Sequence, residues 1–384
     1  MTNQLRIHVR RLRTAGDLTP LAGAWNALAG GVPFRSWEWL ESWWRAYGAE
    51  PGKELFTLTV VDDGGELLGL APWYLDRWGS RRRVIRFLGS GEVCSDYLTI
   101  LCRDGCEDEV TRALADWLSS AQEGSAAGRP GWDLLELSGV DHGDKTVNRL
   151  VDHLAARGNL VHRRNRSTCW RVNLPNEWEG YLAKLSKSHR KQIRRLERNY
   201  FESGRAQLHE AQSESELDRG WGMLTRLHQR RRESLGDRGC FASPRFAAFH
   251  EETARRLLHR GNLRLVWLEI EGCPVAVEYQ VLGKHVVYAY QSGIEPAALA
   301  HEPGRLITLV TLKRAIAEGL QAFDFLRGDE KYKAHWRAEP RPTQDVRVVS
   351  NTPGARLQHN LWLARGNVKS WIKQSLKLSG IRGF

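Results

Sequence analysis

The chain has only two methionines among 384 residues, and its six cysteines (Cys94, Cys102, Cys106, Cys169, Cys240, Cys273) form no CxxC pair. Cys102 and Cys106 lie four apart and can share a helix face, but no histidine stands at metal-ligand spacing from them, so no metal is expected. Disulfide frameworks belong to short secreted chains; in one this long, scattered cysteines read as reduced thiols and point to the cytoplasm. No apolar run approaches the ~20 residues that span a bilayer. The opening MTNQLRIHVRRLR lacks the apolar core of a signal peptide. The chain also has no G-x-S-x-G, H-E-x-x-H or Walker loop, which argues against nucleophile-elbow hydrolases, zincins and P-loop NTPases. His250–Glu251–Glu252 has no second histidine at the required offset. Ser188 and His189 are neighbours on a helix, so their side chains diverge.

Hydrophobic residues make up 41% and charged ones 27% of the sequence, the balance of a globular chain long enough for two domains. Sixteen tryptophans suit a core filled by large rings. The net charge of +12 favours an anionic partner: a nucleotide-bearing cofactor, RNA, a membrane surface or an acidic polymer.

Periodicity predicts an opening strand at Leu5–Arg13, helices at Asp17–Ala29 and Ser36–Tyr47 with Ser36 as N-cap, and a hairpin of Leu55–Val61 and Leu67–Tyr74 around Asp62–Gly65. Strands at Arg83–Leu88 and Tyr97–Leu101 follow, then a helix at Glu107–Ala121, a small-residue loop at Gly124–Pro130, a strand at Asp133–Leu137, a helix at Val147–Arg157 and a strand from Leu160. In the second half, Asn176 and Glu179 read as a capping box opening one long helix that reaches Tyr200. Strand Ala206–His209, helices Glu216–Arg232 and Pro244–His259, and strands Leu263–Ile270, Pro274–Leu282 and Val286–Gly293 come next. A helix then opens at Pro303, followed by a strand at Ala322–Phe325, a short polar helix and a strand at Val346–Val349. Both halves share one order: strand, two helices, three strands, helix, strand, helix, strand. That repetition predicts two tandem α/β domains, each a mixed sheet flanked by helices, at 1–168 and 169–384. The second carries a basic helix at 177–204 and a basic amphipathic helix at 355–378 (Leu357, Leu361, Val368, Trp371, Ile372) that offers a membrane-binding face.

LAKLSKSHRKQIRRLERNY, LRLVWLEIEGCPVAVEYQVLGKHVVYAYQSGI, EPGRLITLVTLKRAIAEG and above all FDFLRGDEKYKAHW, with its GDE-x-YK-x-x-W pattern, resemble the FemAB-like, CelD-type branch of the GNAT acyltransferase superfamily. PFRSWEWLESWW and LGSGEVCSDYL are similar to that branch's N-terminal half. The resemblance implies tandem GNAT-like domains, with catalysis in the second and the acceptor bound between them. It implies an N-acyltransferase that takes acetyl-CoA or another acyl-CoA and modifies an amine of a sugar, a polysaccharide or cell-envelope precursor, or a small metabolite. Two alternatives stay open: an aminoacyl-tRNA donor held by the cations between Lys184 and Arg198, seven against one acid, and a non-catalytic binding protein of polysaccharide assembly. The glycine-rich pyrophosphate loop of GNAT enzymes survives here only in fragments.

Acyl transfer to an amine needs a polarised carbonyl, a free amine and an acid for the departing thiolate. Tyr332, on a short helix after a strand, is the expected general acid. Glu278, an acid in an otherwise apolar strand, is the expected base, and Asp329 and Glu330 are further candidates for holding or deprotonating the amine. Gln291, Ser292 and Gly293, the helix start at Gly304 and Arg305, and Lys333 are candidate cofactor contacts, because free backbone N–H groups and cations suit a diphosphate. Asp96, Asp324, Arg327 and Trp336 are candidate substrate contacts. The bland alternatives are a capped surface turn, a solvated lysine and a packed tryptophan.

Overall fold

The computed structural model describes residues 6–77, 82–122 and 131–364. Among the described residues there are fifteen strands: β1 (Ile7–Leu12), β2 (Lys53–Leu55), β3 (Thr57–Asp62), β4 (Leu67–Ala71), β5 (Trp73–Arg77), β6 (Arg83–Phe87), β7 (Leu101–Cys102), β8 (Leu134–Asp141), β9 (Leu160–Asn173), β10 (Ala206–Glu210), β11 (Leu263–Ile270), β12 (Cys273–Leu282), β13 (Val286–Ile294), β14 (Ala322–Arg327) and β15 (Glu339–Val349). They form a four-stranded sheet, β1-β3-β4-β7, and an eleven-stranded sheet, β10-β11-β12-β13-β14-β9-β15-β8-β6-β5-β2. The larger sheet is mixed, with β13–β14 and β6–β8 parallel, the smaller is antiparallel, and helices flank both in the expected mixed α/β architecture.

The larger sheet is continuous across both halves of the sequence. The division at 168/169 falls inside β9, so the chain passes from one half to the other in mid-strand. β15, from the far end of the chain, pairs with β9 on one side and with β8 on the other. A second bond between the halves is hydrophobic. Ser36 Oγ accepts from the Trp39 amide and starts helix Trp37–Tyr47, whose buried Trp39 ring meets Phe249 of helix Pro244–His259 edge to face at 5.3 Å. Burying rings of this size contributes about 1.5–3 kcal/mol each.

Four sequence expectations change. Helix Trp178–Lys184 begins after Glu177 without a side-chain cap, so the Asn176–Glu179 capping box does not form; Glu179 instead pairs with Arg194. The long basic helix breaks at Leu185, which is extended (φ −78°, ψ 156°) and buried, and Ser186 caps a second helix, Lys187–Leu196. Residues Tyr97–Leu101 are not a continuous strand, because Cys94 and Tyr97 take left-handed backbone (φ 53° and 62°) and only Leu101–Cys102 pairs. The helix expected at Asp17–Ala29 is two short 3₁₀ turns followed by Ala22–Leu28. The loop at Gly124–Pro130 and the 365–378 part of the C-terminal helix lie outside the described residues.

The sheet opens near its middle. β13 and β14 run parallel and pair only at Val286–Tyr288 with Ala322–Asp324. The β12–β13 register jumps from Tyr279–Gln291 to Gln280–Ala289, so Tyr290 is an extra residue, a β-bulge. A bulge bends its strand and raises the local twist. Past Tyr288 and Asp324 the two strands part, and a crevice fills the gap.

Candidate active site

Two adjoining cavities of about 370 Å³ and about 570 Å³ occupy this crevice, within the usual range of small-molecule sites. They share four lining residues, Glu278, Ser292, Phe325 and Tyr332. The smaller cavity takes Glu92, Cys94 and Asp96 from the first half of the chain. The larger is walled by Ile294, Leu299, Trp336 and the start of helix Pro303–Ala317.

Glu278 is 6% exposed, accepts from Gln280 Nε2 at 2.8 Å and lies 3.5 Å from Thr311 Oγ1. Burial disfavours its ionised form more than those two bonds favour it, and its carboxyl is pushed up to about 7. Tyr332 leaves 48% of its surface open, so it faces the crevice rather than packed hydrocarbon. Surrounding protein mass, and then the Glu278 and Glu330 charges, raise its phenol, which stays protonated at neutral pH. A carboxyl poised near neutrality and a protonated phenol thus line the place where the two cavities join. The N–H end of helix Pro303–Ala317 is lined by Pro303, Gly304 and Arg305. Glu302 precedes it in left-handed backbone (φ 55°). Its carboxylate accepts from Gln192 and Arg195 at 3.1 Å each and pairs with Arg305.

Several candidate residues serve the architecture instead of a ligand. Lys333 is 2% exposed, and its ammonium donates to the carbonyls of Leu326, Arg327 and Gly328 at 3.2, 2.8 and 3.2 Å. It pins a turn that contains left-handed Leu326 (φ 55°), and no proton is left for a phosphate. Asp324 is fully buried and accepts from Tyr97 Oη at 2.7 Å, Arg171 Nε at 2.8 Å and the Leu326 amide at 2.8 Å. It is a structural carboxylate, not a substrate contact. Gly293 lines neither cavity; a Cβ there would lie 2.6 Å from the His228 backbone nitrogen, so the glycine lets β13 approach helix Glu214–Glu233. Asp329 is exposed and lines neither cavity. Glu330 lines the smaller one while paired with Lys333 at 2.9 Å. Tyr332, Lys333 and Trp336 do not share one side as expected: Tyr332 faces out, while Lys333 and Trp336 are buried beneath.

Asp96 and Arg327 form an ion pair along the smaller cavity. Gln291 and Ser292 also line it, and Trp336 is a wall of the larger. Sequence reasoning missed Tyr290, whose hydroxyl donates to the Val93 carbonyl at 2.5 Å and lies 3.0 Å from His250 Nε2. It also missed the contact of Cys240 Sγ with His228 Nε2 at 3.4 Å, beside the smaller cavity. Tyr290 follows the alternation that marks β13, but no local pattern announces a bulge.

A mixed sheet that splits between two parallel strands over a carboxylate–phenol pair defines a GNAT-type acyltransferase fold. Residues 187–334 match the family described as Acetyltransferase (GNAT) domain. The match covers less than half of the chain, whose overall fold resembles the FemAB-like tandem GNAT branch. Its shape is similar to a crystal structure of FemX (TM-score 0.59, 11% identity, covering 88% of this chain and 96% of that one). It is also similar to a conserved protein of unknown function from Bacteroides thetaiotaomicron (0.55, 12%, 90% and 100%). A third is the C-terminal domain of a putative lysylphosphatidylglycerol synthetase from Agrobacterium fabrum (0.52, 11%, 90% and 95%). No curated protein matches the sequence. Among the described residues, no helix is long and apolar enough to cross a membrane.

Proposed function

We propose that this chain transfers an acyl group from a thioester donor, of the acyl-CoA class, to an amine of a sugar, a cell-envelope or polysaccharide precursor, or a small metabolite. The observation that carries the reading is the joint position of Glu278 and Tyr332 between the two cavities. The donor lies in the larger cavity, its acyl thioester entering where β13 and β14 part. The diphosphate sits at the start of helix Pro303–Ala317, drawn by the helix dipole, the Gly304 N–H and the Arg305 side chain; the Arg305 and Leu306 amides are already given to the Glu302 carbonyl. Arg195 and Arg305, which hold Glu302 in the structure, turn to the diphosphate as it arrives. The acceptor amine lies in the smaller cavity, lined by Asp96, Arg327, Gln291 and Ser292.

In the reaction, Glu278 takes a proton from the incoming ammonium, and the amine attacks the thioester carbonyl. The tetrahedral intermediate collapses, the C–S bond breaks, the Tyr332 phenol gives its proton to the departing thiolate, and the second nitrogen proton passes to the resulting phenolate while Glu278 releases the first to solvent. Residues of the first half close the acceptor side. This reading puts the reaction on the cytoplasmic side, in line with the free cysteines.

A second reading keeps the same chemistry with an aminoacyl-tRNA donor. It is favoured by the exposed cations Lys187, Lys191 and Arg198 near the larger cavity's rim helix; Arg194 and Arg195 are already paired with Glu179 and Glu302. The deciding experiment is a thermal-shift panel of acyl-CoAs against an aminoacyl-tRNA. Stabilisation by an acyl-CoA, followed by acylation of an added amine, supports the first reading. Salt-sensitive tRNA binding without any acyl-CoA response supports the second.

A further inference from the structure

A third cavity near the crevice belongs to neither of the two above. It measures about 620 Å³ and lies mostly in the first half of the chain, and Glu92 lines both it and the smaller cavity of the crevice. Three buried rings, Trp43, Tyr47 and Tyr74, form its apolar floor, with Trp43 and Tyr47 stacked at 5.2 Å. Its rim alternates in charge: Glu50, Lys53, Glu92 and Arg245.

The charges argue against an ionic occupant of either sign. Both cations already have an acid: Lys53 Nζ is 2.6 Å from Glu50, and Arg245 pairs with the same carboxylate. An anion would have to displace Glu50 from two partners. A ligand cation meets the opposite obstacle, because the Lys53 ammonium already stands 5.3, 5.8 and 5.4 Å from the centroids of Trp43, Tyr47 and Tyr74. That aromatic box is filled from within. A neutral hydroxylated ring has no such conflict. Its C–H face suits the apolar floor, and its hydroxyls need donors and acceptors side by side, as on this rim.

We infer that this cavity is a saccharide subsite, holding the sugar ring next to the one whose amine is acylated. This rests on the acyl-transfer reading above. Glu92 is the joint between the two positions. Its Oε1 accepts from Tyr47 Oη at 2.8 Å and from Ser243 Oγ at 3.1 Å, one residue from each half of the chain. A glycosidic link passing over Glu92 carries the acceptor from the crevice to the aromatic floor.

The test is calorimetric titration of the full chain with glucosamine and with the β-1,4-linked dimer of glucosamine and glucose, whose second ring is neutral, on wild type and on Arg245→Ala and Glu50→Gln. Both variants change half-exposed rim side chains. The dimer should bind about tenfold tighter than the monomer to wild type, and that advantage should vanish in the variants while acyl-CoA stabilisation is unchanged. Equal binding of the two sugars, or an advantage that survives both substitutions, overturns the inference. Tighter binding of a 6-phosphorylated sugar overturns the neutral-ring assignment. Acylation of simple amines with no dimer preference defeats this inference alone. A dimer preference without acylation of any amine supports the subsite and defeats the acyl-transfer reading.

Discussion

The Arg327 guanidinium donates from Nε to Asp96 Oδ1 at 2.8 Å, joining the end of β14 to a loop of the first half beside the smaller cavity. Asp96 is 3% exposed, so the pair is screened from solvent, and its partner charge holds the Arg327 guanidinium above its usual range despite burial. Removing one member strands the other. Asp96→Asn should therefore cost about 3–5 kcal/mol in denaturant unfolding. Simultaneous replacement by Asn and Met should cost less than the single change.

Tyr332→Phe removes one oxygen from a half-open side chain and leaves the packing intact. Unfolding should be unchanged, whereas kcat should fall about 10²-fold or more, as expected for a lost general acid. Donor KM should hold. An unchanged kcat would reduce Tyr332 to a wall.

Glu278 predicts two pH effects. Its carboxyl, raised to about 7, must be ionised to act as base, so kcat/KM should climb with pH and level off above about 7. The stability effect runs the other way. The folded carboxyl binds its proton more tightly than the unfolded one, so its contribution is complete below the unfolded value of 4.5 and is lost as pH rises through about 7. A gap of that size corresponds to about 3 kcal/mol. Glu278→Gln should thus gain stability relative to wild type between pH 4.5 and 8, while losing the rising limb of activity. Melting temperatures across that range read the first effect.

Lys333→Met should act on folding before ligand affinity. Three carbonyls lose their donor, and each buried group left unsatisfied costs roughly 1–3 kcal/mol. A melting point lowered by several degrees is expected. If the variant melts like wild type but requires far more acyl-CoA, the lysine contacts the donor after all.

The division between what was readable and what was not follows the range of the forces. Local patterning carried the mixed α/β character, Ser36 as a cap, the hairpin at Asp62–Gly65, Pro303 opening its helix and the position of Tyr332 after a strand. Each depends on residues within a turn or two of one another. Glu278 was also visible, as an acid in an apolar strand. Tertiary structure alone decided which charges were already spent. Lys333 turns under its own loop, Asp324 meets Tyr97 and Arg171 from elsewhere in the chain, and Gly293 yields its space to His228. It alone decided, too, that β15 returns to the first half and makes one sheet of two repeats. A sequence names a side chain's chemistry; only the packing of distant segments determines whether a partner within the chain has already taken its hydrogen bonds and charge.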